Sequence, residues 1–538
     1  MDKLPFFHKG QPHKIHFEER KKFSSQIFLY FYICILFALF SVLILRLFQL
    51  TIVKGNYYRQ LSEQNRIREL LIEPRRGKIV DRKGFSLAEN TAADIEKKTN
   101  RLASGRLYNA TETTAHLVGY RQKADKNDLK NDPCIYKLKT GDKIGKKGVE
   151  KLYDCQLRGK HGKKLIEVDA NGSYLRALSL IPPVDGETIQ LAIDLELQKK
   201  SYELIKNKKA TIIGSKPQTG EIIILASAPS FNPQDFEDEN QPVTSLYFKN
   251  EGKPLFNRAT EGTYAPGSIF KIVLAAGALE EKKIDDKFQI EDSGILKAGP
   301  LEFGNWYFLQ YGKTDVMVDI VKAIRRSNDI FFYKTGELLT PGKIKKWAEI
   351  LGYGTRSNIG LSEADGLVPS SFWKEETFKD RWYLGDTYNL SIGQGYLLVT
   401  PLQTTIATAV FANGGYLCKP ELLKVSSFAD ASTGKQNCKK LPISQKTLDL
   451  VRQGMKEACL PGGTGWPLFD FKPQVGCKTG TAEAQGKETL PHAWFTVFAP
   501  YDKPEIVLTV LLEESGQGSD VAAPIAKEIL KMYFERKE

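Results

Sequence analysis

From Ile27 to Leu45 the chain runs for nineteen residues without a charge, rich in Phe, Leu and Ile. At about 1.5 Å rise per residue, a helix of that length nearly crosses a hydrocarbon core of about 30 Å. Lys3, Lys9, Lys14, Arg20, Lys21 and Lys22 precede the run, against Asp2, Glu18 and Glu19. A basic flank stays in the cytoplasm. Residues 1–26 are therefore expected to be a cytoplasmic tail, 27–45 a single transmembrane helix, and everything after Leu45 extracytoplasmic. The rival is a cleaved signal peptide. The bulky Phe40, Leu43 and Leu45, the following Arg46 and the lack of a small-x-small cleavage site speak against it.

That placement decides how the charge is read. The chain carries 77 Lys+Arg against 64 Asp+Glu, a formal +13. Such an excess suits nucleic acid, anionic lipid or an anionic wall. Outside the cell membrane, nucleic acid drops out. Hydrophobic residues at 41% and aromatics at 11% exclude a disordered chain. At 538 residues, two to four domains are expected.

Cys34 lies in the span and six cysteines lie outside it, where disulfides can form. Cys134–Cys155 and Cys418–Cys438 pair by proximity, and free buried thiols fit equally well. Cys477, directly before Lys478, reads as a small buried filler rather than a redox switch. No cysteine or histidine pair has zinc spacing, so no metal is expected. His8, His13 and His16 read as solvated residues of the tail.

Residues 46–90 read as a stalk containing a short strand, Lys78 to Arg82. Residues 91–164 are polar and Lys-rich with little periodicity, the pattern of a solvated face. Leu165–Val168 and Leu175–Leu180 flank Asn171-Gly172, a hairpin signal. Pro182-Pro183 marks a boundary, giving domains over 46–185 and 186–538. In the second, Leu195–Lys206 predicts a helix. Ala210–Gly214 and Ile222–Ala226 predict strands, as do Val475–Glu483, Ala493–Ala499 and Ile506–Leu512. A helix over Ala522–Arg536 closes the chain. Strands from both ends around a helical insert imply one sheet in an α/β layer architecture.

Three Ser-x-x-Lys matches occur: Ser268/Lys271, Ser371/Lys374 and Ser432/Lys435. Ser432 sits in a polar turn, and Ser371 heads a charged stretch. Only Ser268 follows a Pro-Gly bend and opens an apolar helix, Ile269 to Leu279. Positions i and i+3 share a face, so Lys271 lies beside Ser268. Lys271 can take the hydroxyl proton only when neutral, which burial and a second cation favour. The helix tip also offers N–H groups to an oxyanion. A serine that merely caps a core helix is the other reading.

Lys-Thr-Gly also occurs three times. The copy at 139–141 is in a polar stretch, and the copy at 334–336 is expected to end a helix at Gly336. Lys478-Thr479-Gly480 lies in a strand, with Gly480 placed to let a substrate backbone approach an edge. Ser327-Asn328-Asp329 opens an apolar run. Ser327 could relay a proton and Asp329 could hold Lys271 or Lys478, although a plain helix cap reads the same.

In that order, the three sets resemble the Ser-x-x-Lys, Ser-x-Asn and Lys-Thr-Gly motifs of penicillin-binding proteins and serine β-lactamases. Arg76-Gly77, Asp81-Arg82, Gly148-Val149-Glu150 and Phe256-Asn257-Arg258-Ala259 resemble the class B branch. Asn65-Arg66-Ile67-Arg68, Gly393-Gln394-Gly395, His492-Ala493-Trp494-Phe495 and Asp329 itself resemble its elongation-type members.

The resemblance implies a penicillin-binding transpeptidase domain on a mainly β pedestal. It implies a peptidoglycan D,D-transpeptidase or carboxypeptidase that uses no cofactor and is acylated by β-lactams. Ser268 would be nucleophile, Lys271 base and Ser327 relay. Lys478, Thr479 and Thr481 would bind the stem-peptide carboxylate, and the N–H groups of Ser268 and Thr481 would form the oxyanion hole. A SEDS-type glycosyltransferase is the implied partner. The stretch between Asn90 and His116 is too short for the family's usual head subdomain, so a standard scaffold contact there is not expected. A septal enzyme, a β-lactamase or β-lactam sensor, and a non-catalytic scaffold are the alternatives.

Overall fold

A computed structural model of the chain describes residues 23–96, 101–169, 171, 173–425, 437–484 and 489–536. The described residues form two compact units.

The first unit contains the N-terminal segment to Leu70 and residues 163–181. Its helix runs Phe23–Phe48 and continues as a wider turn over Gln49–Val53. The helix is long and apolar enough to cross a membrane. It runs beyond the expected 27–45 at both ends, and past the apolar run Arg46 donates to Gln49 at 2.7 Å. The expected hairpin is present, with Gly162–Val168 antiparallel to Tyr174–Ile181. Gly172 and the residues of the tail before Phe23, its histidines included, lie outside the described residues.

The second unit holds residues 71–162 and 182–536. Residues 91–164 correct the sequence reading. They form strands, including Arg101–Tyr108, and short helices such as Thr111–Val118 and Gly148–Leu152. Their described lysines stay at or near the surface, as expected, but arginines and several carboxylates go inward in pairs. Arg76 Nε donates to Glu150 at 2.6 Å and Arg106 Nε to its other oxygen at 2.8 Å. Arg76 and Arg158 also meet Asp154, and Arg121 forks onto Glu237 with two bonds of 2.8 Å. A paired charge hides from hydropathy patterns because its partner lies far away in sequence.

The catalytic layers follow the expected scheme. Helix α1 (Leu195–Ile205) precedes strands β1 (Ala210–Ser215) and β2 (Ile222–Ala228). Helices α2 (Lys271–Glu280), α3 (Asp329–Leu339), α4 (Leu384–Ser391) and α5 (Gln445–Ala458) come between. Strands β3 (Gly476–Ala482), β4 (His492–Ala499) and β5 (Ile506–Leu512) lead to the last helix, α6 (Ala523–Glu535). The sheet is antiparallel in the order β2-β1-β5-β4-β3, so the two ends of the domain join at β1–β5.

Period-2 alternation assigns the faces. Phe495, Val497, Leu508 and Val510 pack in one core with Leu197 of α1 and Ile529 of α6. Trp494, Phe498, Val507 and Leu511 pack in the other with Phe270, Val273 and Phe331. Each such side chain contributes about 1.5–3 kcal/mol by burial. This second core seats α2, which is buried from Lys271 to Ala278.

Helix α3 corrects a second expectation, because it passes through Gly336 without ending. A Cβ there would collide with Ser391 of α4, so this glycine serves helix–helix contact, not termination.

Candidate active site

Ser268 stands on a short tight turn, Gly267–Phe270, that feeds directly into α2. The hydroxyl-bearing residue is partly exposed, whereas Lys271, on the next turn, is fully buried. Gly267 adopts φ +55°, open to glycine at little cost. A Cβ there would lie 2.7 Å from the carbonyl oxygen of Thr481. The glycine thus lets the nucleophile turn press against β3, bringing the backbone of 268 and 481 together.

Ser327 closes the helix Ile320–Arg326 in the left-handed conformation, φ +53°. Holding a serine there costs about 1 kcal/mol or more. Its Oγ accepts from Lys478 Nζ at 2.9 Å and from Lys271 Nζ at 3.3 Å. Lys271 also donates to the Ser327 carbonyl at 2.7 Å and to Asp329 Oδ1 at 2.6 Å. The cap is Asn328, whose side chain accepts from the Phe331 N–H. Capping and catalytic geometry therefore coexist in one tripeptide.

Asp329 is fixed from both sides. The Trp306 N–H donates to Oδ2 at 2.9 Å, and Asn305 accepts the Asp329 N–H at 3.1 Å. Asn305 and Asn328 in turn donate to Asp292 at 2.8 Å each.

One carboxylate thus serves two buried ammonium groups. Burial pushes Lys271 below the ordinary lysine value against the pull of Asp329. Burial and then the charge of Lys271 hold Lys478 well below it. The larger depression falls on Lys478, because Asp329 bonds Lys271 directly. The two titrate as a coupled pair, one of which loses its proton easily.

Thr479 Oγ1 donates to Thr464 Oγ1 at 2.8 Å, and Lys478 Nζ donates to the Thr479 carbonyl at 3.0 Å. Thr481 is exposed at the mouth. Gln394 fastens this end of the strand, donating to the Thr481 carbonyl at 3.2 Å and accepting from the Glu483 N–H at 3.3 Å. β3 is an edge strand, as expected. Gly480 also has a packing role: a Cβ there would lie 2.9 Å from the Pro266 carbonyl and 3.0 Å from Ile269, so the absent side chain admits the turn that carries Ser268.

The other motif copies are structural or outside the description. Lys374 is ion-paired with Asp386 at 2.8 Å and Asp380 at 3.1 Å. Ser432 and Lys435 lie outside the described residues. Cys134–Cys155 and Cys418–Cys438 are disulfides. Cys477, expected as a free filler, is bonded to Cys459 at the end of α5, a partner eighteen residues upstream that spacing did not single out. Thr464, Gln394, Asn305 and Trp306 were not picked out as site residues. Only Gln394 carried any signal, from the Gly-Gln-Gly stretch.

A serine on the turn that leads into a helix, two buried lysines and a bridging hydroxyl beside an edge strand form the arrangement expected of a serine acyl-transfer centre of the penicillin-interacting class. Residues 210–531 match the penicillin binding protein transpeptidase domain, and 95–191 the penicillin-binding protein dimerisation domain. The peptidoglycan D,D-transpeptidase MrdA of Haemophilus influenzae is 30% identical over 92% of this chain and 90% of its own. That of Escherichia coli K12 is 29% identical over 91% of each.

Penicillin-binding protein 2 of Pseudomonas aeruginosa, solved with WCK 5153, superposes with a TM-score of 0.73 at 29% identity. It covers 87% of this chain and 96% of that one. The Helicobacter pylori penicillin-binding protein 2, in complex with MreC, gives 0.75 at 27% identity, over 87% and 99%. The chain belongs to the class B penicillin-binding proteins, in their elongation-type branch.

Proposed function

We propose that the chain crosslinks peptidoglycan stem peptides during cell elongation, as a membrane-anchored D,D-transpeptidase with domains over 46–185 and 186–538. The observation that carries this reading is the Ser327 hydroxyl set between the Lys271 and Lys478 ammonium groups at 3.3 and 2.9 Å, with Ser268 one turn from Lys271.

Ser268 Oγ attacks the carbonyl carbon of the penultimate D-Ala as its proton passes to Lys271, in the state of the coupled pair in which Lys271 is neutral and Lys478 keeps its proton. The oxyanion is held by the N–H groups of Ser268 and Thr481. Ser327 relays the proton to the departing nitrogen, the C–N bond breaks and D-Ala leaves. An amine of a second stem then takes the acyl group; water in its place gives carboxypeptidase action. Lys478, Thr479 and Thr481 bind the terminal carboxylate. β-Lactams enter by the same attack.

The basic N-terminal tail supports an orientation with the N-terminus in the cytoplasm, and three disulfides suit the oxidising side. A SEDS-type glycosyltransferase is the proposed partner.

The test is labelling of membranes with fluorescent penicillin. Wild type labels stably and Ser268→Ala does not. Persistent labelling of the variant removes Ser268 as nucleophile, and rapid loss of label from wild type makes the enzyme a hydrolase.

A further inference from the structure

Residues 460–465 form a loop beside the strand that carries Lys478 and Thr479. Four attachments hold the loop. Cys459 at its start is bonded to Cys477, the residue before Lys478. Arg325 Nη2 donates to the Pro461 carbonyl at 2.8 Å and Arg326 Nη1 to the Gly462 carbonyl at 3.1 Å. These arginines immediately precede Ser327. The hydroxyl of Thr464 meets that of Thr479 at 2.8 Å. Gly465 sits on the disulfide, where a Cβ would lie 2.6 Å from Cys477 Sγ and 2.9 Å from Cys459 Sγ.

We propose that the Cys459–Cys477 disulfide is a positioning element that, through the loop and Thr464, sets the Thr479 hydroxyl for the ligand carboxylate. The covalent link ties the loop to the same strand at the residue before Lys478, so loop and strand keep one register. When a carboxylate binds, this bond reverses: Thr464 donates to Thr479 Oγ1 and Thr479 turns the proton it now gives to Thr464 toward the carboxylate. Both sulfurs are buried, which makes the link a permanent brace and not a redox switch. The brace acts on carboxylate binding and leaves the lysine chemistry alone. The inference rests on the transpeptidase reading, in which Thr479 faces that carboxylate.

The test separates binding from acylation. Rapid-mixing kinetics with fluorescent penicillin on the full-length protein in detergent give the dissociation constant before acylation and the limiting acylation rate. Cys459→Ala/Cys477→Ala should weaken binding about tenfold, with the limiting rate within twofold of wild type. Cys134→Ala/Cys155→Ala should change neither. Thr464→Val should reproduce the binding loss and add nothing to the double-cysteine variant, whereas Thr464→Ser should restore it. Gly465→Ala, which pushes the loop off an intact disulfide, should also weaken binding and serves if the cysteine variant does not fold.

Unaltered binding in Gly465→Ala and Thr464→Val, or a cysteine variant that only melts earlier, overturns the proposal. So does additivity of the Thr464 and cysteine effects. Stable labelling abolished by Ser268→Ala keeps the enzymatic reading standing in each of those cases.

Discussion

Glu150 in the pedestal and Lys478 in the catalytic layer are both shut away from solvent, and burial ends differently for each. Burial pushes the Glu150 carboxyl up, but the guanidiniums of Arg106, Arg76 and Arg121 outweigh it and hold the group at about 2. Among the described residues Lys478 has no carboxylate of its own. Burial and its neighbour Lys271 push it down, and the single carboxylate of Asp329 is bonded to Lys271. The first cluster is balanced and its charges are locked. The second is one negative charge short and its protons can move. The chain thus uses buried charge in two ways, as a fastening where the pairs close and, in the proposed mechanism, as acid–base machinery where they do not.

Removing a member of each cluster should give opposite pairs of effects. Lys271→Ala should lower the acylation rate by about 10⁴-fold at little cost in stability, because two buried lysines share the single Asp329 carboxylate and Lys478 remains to balance it. Fluorescent-penicillin kinetics and thermal melting on the same preparation check both halves. Retained acylation would break the contrast.

Glu150→Ala should cost about 3–5 kcal/mol of stability by stranding its arginines. It should leave acylation per folded molecule within twofold, as read from denaturant midpoints and active-site titration. A rate loss there would mean that the pedestal cluster reaches the chemistry.

A smaller effect follows from pH. The folded pKa of Glu150 is depressed, so its contribution is complete above the ordinary carboxyl value of 4.5 and is lost as the pH falls toward about 2. The stability gap between wild type and Glu150→Gln should therefore narrow across that window. A constant gap would show that hydrogen-bond geometry, not charge, holds the cluster.

The catalytic half was the more legible in the sequence. Four of the five strands of the sheet are mostly apolar runs, and Ser268 is set apart from Ser371 and Ser432 by the Pro-Gly bend and the buried helix after it. The pedestal was opaque because its signal is pairwise. Arg76 finds Glu150, and Arg121 finds Glu237, only after the chain has folded.

Gly336 misled for a related reason. It looks like a helix end, yet it makes room for a residue remote in sequence, Ser391. The Cys459–Cys477 pairing shares that character. The Ser327-Asn328-Asp329 tripeptide was readable in its parts but not in the assignment of Asp329 to Lys271, which needs Trp306 and Asn305 to aim the carboxylate.

The central claim is that the lysine pair is short of negative charge, and the pH dependence of acylation in wild type and Asp329→Asn tests it most directly. A lysine that must be neutral makes the rate rise with pH. Burial sets that rise below the ordinary lysine value of 10.5, and Asp329 holds both lysines higher than they would otherwise be. The account predicts a rising limb with its midpoint below 10.5 in wild type, moved to lower pH in Asp329→Asn. A wild-type midpoint at 10.5, or a variant limb that stays in place or moves to higher pH, would contradict it.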